Sequence, residues 1–185
     1  MLVSYAFVFF VIAVLALASI SDIRTRRIPN YLSVALVITS LSVYFWSSGI
    51  DGLLFSLKGT GLGFIILFVP YLFGGMGAGD VKLMAGVGAA VGPEQVLLAL
   101  LFTALLGGVL AIIIILAGNT LRETFKNFFT SAWLTLSGAG ITSLKAGLEH
   151  KKKTKVPYGF VIACGTVASM LWRVTVQGKL PVGNL

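Results

Sequence analysis

Long apolar runs separated by polar breaks dominate this chain. The runs cover roughly residues 2–20, 31–46, 53–73, 80–91, 96–117 and 157–172. About 20 apolar residues are enough for a helix to cross a bilayer. The pattern therefore predicts an all-α, polytopic membrane helix bundle of about six transmembrane helices, within a single integral-membrane domain over residues 1–185. The first run lacks the basic residue that precedes the apolar stretch of a secretory leader, so we expect a retained helix.

The break over residues 118–156 is much longer than the others. Phenylalanines recur there at helical spacing with charged residues between them, which is typical of a helix lying in the membrane interface. Alternatively, residues 128–148 form another span, because Lys145 is their only charge. That alternative would place the lysines of 151–155 on the side opposite the other basic segments. We therefore expect 118–156 to be a cytoplasmic or interfacial loop.

The charge of the chain indicates its orientation. Only 11% of the residues are charged, against about 25% in soluble domains. Of the 14 Lys and Arg residues, three lie at 24–27, one is Lys82 and seven lie at 122–155. Basic segments of membrane proteins stay in the cytoplasm. We therefore expect these segments to be cytoplasmic, both termini to lie outside, and the net charge of +8 to contact membrane lipids and no nucleic acid.

Two acids stand at the cytoplasmic ends of predicted helices. Asp22 follows the first run, and Asp80 opens the fourth after four glycines in six residues (74–79). A charged group at membrane depth is a functional candidate by default. Two carboxylates at the same depth can share one proton, so that one activates water while the other polarises a peptide carbonyl. This chemistry needs neither a metal nor another cofactor.

Structural roles for the same residues are open alternatives. Asp80 could simply cap the fourth helix, as aspartate often does. Asp22 could be a solvated loop acid that balances the arginines of 24–27. Lys82 could be a topological anchor, and Cys164 a small buried hydrophobic residue. The alternative for Arg27, Pro29 and Asn30 is a structural role, in setting the membrane topology and in forming a turn.

Specific motifs resemble a known family. Gly77-Ala78-Gly79-Asp80 matches the Gly-x-Gly-Asp signature of intramembrane aspartyl proteases, and the longer stretch 74–84 resembles the type IV prepilin peptidases in particular. Ser21-Asp22 followed by Arg-Arg-Ile-Pro-Asn is similar to the first catalytic segment of that family. Val156-Pro157-Tyr158-Gly159 is similar to the opening of its last helix.

The resemblance implies a prepilin leader peptidase of the inner membrane. It would cleave short basic leaders from pilin-like precursors at the cytoplasmic face, with Asp22 and Asp80 as the catalytic pair and no cofactor. Pilus or secretion assembly machinery would be a further candidate partner. We expect supporting roles near the pair for Gly77, Gly79, Lys82, Arg27, Pro29 and Asn30. The two glycines would provide a flexible, water-accessible backbone, and the last three would shape the loop beside Asp22.

One departure from the family concerns methylation. Long members carry an early cytoplasmic domain, often with paired Cys-x-x-Cys, that is linked to N-methylation of the new amino terminus. The segment 21–30 leaves no room for such a domain, so we expect no methyltransferase activity. The short form resembles peptidases of tight-adherence (Flp) pilus systems or archaeal preflagellin peptidases. The rival class is a non-enzymatic membrane transporter or a secretion or pilus assembly subunit.

Overall fold

The computed structural model describes residues 2–72, 75–117, 158–178 and 182 of this chain. Every regular element in these residues is an α-helix, so the predicted all-α class is confirmed for this part of the chain. The helices are α1 (Leu2–Thr25), α2 (Asn30–Leu72), α3 (Ala78–Val91), α4 (Pro93–Ala117) and α5 (Tyr158–Gln177).

Four of the helices, α1, α2, α4 and α5, are long and apolar enough to cross a membrane, which fits a multi-pass membrane protein. The 14 residues of α3 extend about 21 Å at roughly 1.5 Å per residue. This is less than the roughly 30 Å of a bilayer's hydrocarbon core. The count of six spans and the side of each terminus stay predictions.

α2 is a helical hairpin rather than one straight rod. Its backbone leaves the helical conformation at Gly49, with φ 61° and ψ −136°. Beyond that point Gly52 packs against the Tyr44 carbonyl, and the Phe55 ring lies 5.2 Å from the Tyr44 ring. Tyr44 and Phe55 would be about 16 Å apart along a continuous helix. The chain therefore reverses at one residue, and glycine suits it because the positive φ carries no Cβ penalty there.

α3 is enclosed by both halves of this hairpin. From Asp80 to Val91 every residue is buried except Lys82. Tyr44 in the first half donates its hydroxyl to the Ala90 carbonyl at 2.8 Å. Ser56 in the second half donates to the neighbouring carbonyl of Ala89 at 2.8 Å. This short helix of mostly small residues therefore lies deep in the bundle.

Glycines bring α2 and α3 into backbone contact. Gly59 packs against the Gly88 carbonyl, and Gly63 packs against the Met84 carbonyl. Small residues four apart allow helices in a membrane to approach this closely. The close contact at Gly59 and Gly63 fixes the position of α3 against the second half of α2.

Several predicted helix ends were wrong. α1 continues to Thr25, so Asp22 lies in its last turn and not in a loop after the helix. α4 begins at Pro93, since proline suits the first position of a helix, where its missing N–H is not needed. α5 continues to Gln177, five residues past the predicted end. Polar residues ended the apolar runs, but a helix can continue through them beyond the hydrocarbon core.

The chain divides into two compact units. One comprises Met1–Gly107 with Pro157–Leu185, and it contains every residue proposed for the site. The other is Gly108–Val156, of which the described residues are the last turns of α4. The predicted interfacial loop at 118–156 lies outside the described residues. The single-domain assignment stays a prediction.

Candidate active site

Asp22 is buried in the last turn of α1, with 6% of its surface exposed. The helix ends just beyond it, where Arg26 adopts a left-handed φ of 52° and donates its N–H to the Asp22 carbonyl at 2.8 Å. The side chain extends to α5, and its Oδ2 accepts the backbone N–H of Gly159 at 2.7 Å. The carboxylate thus joins two helices. The alternative of a solvated loop acid is wrong.

Asp80 is the third residue of α3 and is 8% exposed. Its Oδ2 accepts the backbone N–H of Gly77 at 2.9 Å. Gly77 precedes the helix in an extended conformation, with φ −85° and ψ 151°. Asp80 therefore supports the start of its helix from the third helical position, whereas the N-cap position that the structural alternative gave it is occupied by Gly77. Capping is compatible with catalysis, because a carboxylate can accept hydrogen bonds at both oxygens.

The two acids form one electrostatic group, since the charge of Asp22 acts on Asp80. Ile28, from the segment between α1 and α2, packs between the helix openings beside them. A Cβ placed on Gly79 would lie 3.2 Å from Ile28 Cβ, and one on Gly159 would lie 2.8 Å from Ile28 Cδ1. Both helix openings therefore approach Ile28 too closely for a larger residue to fit without movement.

Two buried carboxylates that interact in this way can hold one proton between them. Such a pair can supply a general acid and a general base to the same reaction. No group of three His, Cys, Asp or Glu side chains within the described ranges could hold a metal ion.

Comparison with known proteins assigns the chain to a family. Residues 9–112, more than half of the chain, match the type IV leader peptidase family. This chain belongs to the type IV leader peptidase family. It is also similar to the prepilin leader peptidase/N-methyltransferase of Bacillus subtilis (strain 168), with 29% identity over 114 residues, which are 60% of this chain. The matched part is 46% of the relative, so the chain spans about half of that protein. No solved structure gives a significant match.

The family match confirms the resemblance drawn from the sequence motifs. The region matched to the leader peptidases, 9–112, contains both Asp22 and Asp80. It ends well before α5, so Tyr158 and Gly159 lie outside it. The contact between Gly159 and Asp22 is therefore an observation independent of the family match.

The predicted supporting residues near the two acids differ in their exposure to solvent. Lys82 is exposed and donates its Nζ to Asn30 Oδ1 at 3.1 Å, which ties α3 to the first residue of α2. Arg27 has an exposed side chain, and its carbonyl accepts the Ser21 hydroxyl at 3.0 Å. Pro29 is half-buried. These contacts shape the chain beside Asp22, and a catalytic contribution from them stays a prediction.

The two glycines before Asp80 have different surroundings. Gly77 is exposed and extended, whereas Gly79 is half-buried inside the first turn of α3. Neither has a positive φ. At Gly79 the absence of a side chain accommodates Ile28. A flexible, water-accessible backbone at these positions stays a prediction.

Three residues beside the acids were not assigned a role from the sequence: Ile28, Tyr158 and Gly159. Ile28 was noticed only as part of the first motif, and Tyr158 and Gly159 only as the opening of the last helix. Tyr158 also interacts electrostatically with Asp80. The sequence signal that could have identified Gly159 is a glycine in the first turn of a helix that begins directly after Pro157. In the structure this glycine allows α5 to approach Asp22 and Ile28 closely.

Proposed function

We propose that this chain is an intramembrane aspartyl endopeptidase that removes the short basic leader from prepilin-like precursors. Asp22 and Asp80 would act together on one water molecule. The single observation that carries the proposal is the pair itself: two buried carboxylates, on α1 and α3, beside helix openings that both pack against Ile28. Buried acids are costly unless they are compensated, and those that interact at membrane depth are functional candidates.

The reaction follows from the protonation of the pair. One carboxylate is charged and takes a proton from water as the water oxygen attacks the carbonyl carbon of the scissile bond. The other is neutral and donates a hydrogen bond to the carbonyl oxygen as negative charge develops there. The tetrahedral intermediate then collapses, the C–N bond breaks, and a proton from the pair passes to the leaving amine. The acids return to their starting state with no covalent intermediate.

The substrate class is proposed from the family and from the relative, which is named as a prepilin leader peptidase and an N-methyltransferase. We propose only the peptidase activity for this chain. Support comes from the connection between α1 and α2, where Thr25 and Asn30 leave room for four residues and no inserted domain. The substrate is thus a precursor with a basic leader followed by an apolar segment.

We further propose a cell inner membrane location with the acid pair at the cytoplasmic face. The six spans would be α1, the two halves of α2, α3, α4 and α5, with both termini outside. This arrangement is supported by the basic residues at 24–27 and by Lys82, which lie beside the acids in sequence. The reversal of α2 at Gly49 supports two spans within that helix.

Leader cleavage of a co-expressed prepilin precursor tests the proposal. Asp22→Asn and Asp80→Asn each remove the ability to exchange a proton while preserving the size of the side chain. General acid–base catalysis contributes on the order of 100- to 10,000-fold. We therefore expect each variant to lose at least about 100-fold of the cleavage rate at equal membrane levels.

Asp51→Asn is the matched control, because Asp51 is exposed and lies on α2 away from the pair in sequence. It should cleave at the wild-type rate. Normal cleavage by Asp22→Asn and Asp80→Asn would refute the peptidase mechanism. The acids would then be structural, and a transporter or an assembly subunit would be the better interpretation.

A further inference from the structure

The Asp22 carboxylate occupies an unfavourable place on its own helix. It lies in the last turn of α1, where the partial negative charge of a helix C-terminus opposes a second negative charge. The compensating group comes from α5, whose second residue, Gly159, donates its backbone N–H to Asp22 Oδ2 at 2.7 Å. The first N–H groups of a helix have no partner within it, and the helix dipole adds partial positive charge there.

We propose that the opening of α5 is a third part of the active site, in which Gly159 is the positioning residue that holds the Asp22 carboxylate through its backbone N–H. The inference rests on the proposed function and extends it beyond the two acids. Gly159 acts through Asp22 and does not itself transfer a proton. Its N–H fixes the direction of the Asp22 carboxylate.

Space, and not backbone conformation, makes glycine necessary here. Gly159 lies within α5 and has no positive φ, so other residues could adopt its backbone geometry. However, an added Cβ would lie 2.9 Å from Asp22 Oδ2 and 3.1 Å from Asp22 Cβ. It would also lie 2.8 Å from Ile28 Cδ1. A methyl group at this position therefore displaces the carboxylate from its donor.

The same opening also faces the second acid. Tyr158, the first residue of α5, interacts electrostatically with Asp80. Two successive residues of α5 thus relate to the two carboxylates: Gly159 donates to Asp22, and the negative charge of Asp80 acts on Tyr158. This arrangement connects α5, which lies outside the region matched to the family, to both members of the pair.

The test compares Gly159→Ala with Gly107→Ala in purified protein that cleaves a precursor peptide. Gly107, on α4, is the matched control. Its added Cβ would also meet a side chain of α5, that of Val161, but at an ordinary distance of 3.6 Å. A hydrogen bond to a charged group is worth roughly 10- to 100-fold in rate. We expect Gly159→Ala to lower kcat by that factor with little change in KM, and Gly107→Ala to behave as wild type. Thermal unfolding of both variants is measured and kcat is expressed per folded protein, because a buried carboxylate that loses its donor also costs Gly159→Ala some stability.

A double variant tests which crowded neighbour matters. Ile28→Val removes the Cδ1 atom that the new methyl group would meet but leaves Asp22 in place. We expect no rescue of Gly159→Ala by Ile28→Val. Recovery of activity would overturn the inference. If instead Asp22→Asn cleaves normally in the same assay, the proposed function fails and this inference fails with it. Normal cleavage by Gly159→Ala beside an inactive Asp22→Asn would refute the inference alone.

Discussion

Gly63→Ala should lower both the cleavage rate and the stability of the protein, because Gly63 packs directly against the backbone of α3. Gly63 packs against Met84, which lies one turn after Asp80 on α3. An added Cβ would contact the Met84 carbonyl oxygen, and it would lie 3.0 Å from the Met84 carbonyl carbon and 3.4 Å from Ala85 Cα. These are backbone atoms, so no side-chain rotation relieves the contact. The two helices must separate.

The size of the effect follows from these distances. Carbon atoms in good contact lie about 3.5–4.0 Å apart, so α3 must move by about 0.5–1 Å. Because Asp80 is rigidly attached one turn away, it moves with the helix. Misplacement by about 1 Å can cost on the order of 100-fold in rate. Overpacking of this kind also costs about 1–3 kcal/mol of stability.

Gly61→Ala is the matched control, on the same helix and two residues earlier. No described atom lies within 4 Å of a Cβ placed at Gly61. Its stability should be unchanged or higher by about 0.5–1 kcal/mol, since alanine is the better helix former. Precursor cleavage and thermal unfolding in detergent would be measured for both variants. Equal cleavage and equal unfolding temperatures for Gly63→Ala and Gly61→Ala would refute the close packing of α2 on α3.

Two further predictions concern hydrogen bonds on α3. Tyr44→Phe removes the buried bond to the Ala90 carbonyl and should lower the free energy of unfolding by about 1–2 kcal/mol, while Tyr5→Phe, at a position 61% exposed, should not. Equal unfolding temperatures would contradict a stabilising role for the Tyr44 bond. Lys82→Gln weakens the exposed contact with Asn30 and should cost less than about 1 kcal/mol, with cleavage within about two-fold of wild type. A ten-fold loss of cleavage would instead make Lys82 a functional residue.

The sequence predicted which segments form helices, but it did not predict the residues at which several of those helices begin and end. Apolar runs identified every described helix because burial in lipid requires them. They did not identify the end of α1, since its last turn is polar and still helical. The helix ends just before Arg26, which adopts a left-handed backbone conformation. The sequence does not indicate which of the neighbouring polar residues adopts that conformation. The break at Gly49 was likewise predicted as a six-residue turn, but a single glycine is sufficient.

The two acids could be proposed as candidates from the sequence, whereas the groups that hold them could not. Asp80 and Asp22 stand in recognisable local motifs at the ends of apolar runs. The donor to Asp22 is Gly159, which is 137 residues away along the chain. Contacts over such a distance depend on how helices pack, and one glycine near a helix start carries little local information about that packing. Ile28 was missed for the same reason.

The hydrogen-bond donors to Asp22 and Asp80 influence which protonation states the two carboxylates can adopt. Asp22 and Asp80 each accept a backbone N–H at the opening of a helix. The cation two residues from Asp80, Lys82, donates to Asn30. A full positive charge beside each acid would strongly favour two ionised carboxylates. A helix opening supplies only about half a charge, which stabilises one negative charge without requiring both. Backbone donors are therefore compatible with a pair that shares one proton, which is the state that the proposed acid–base hydrolysis requires.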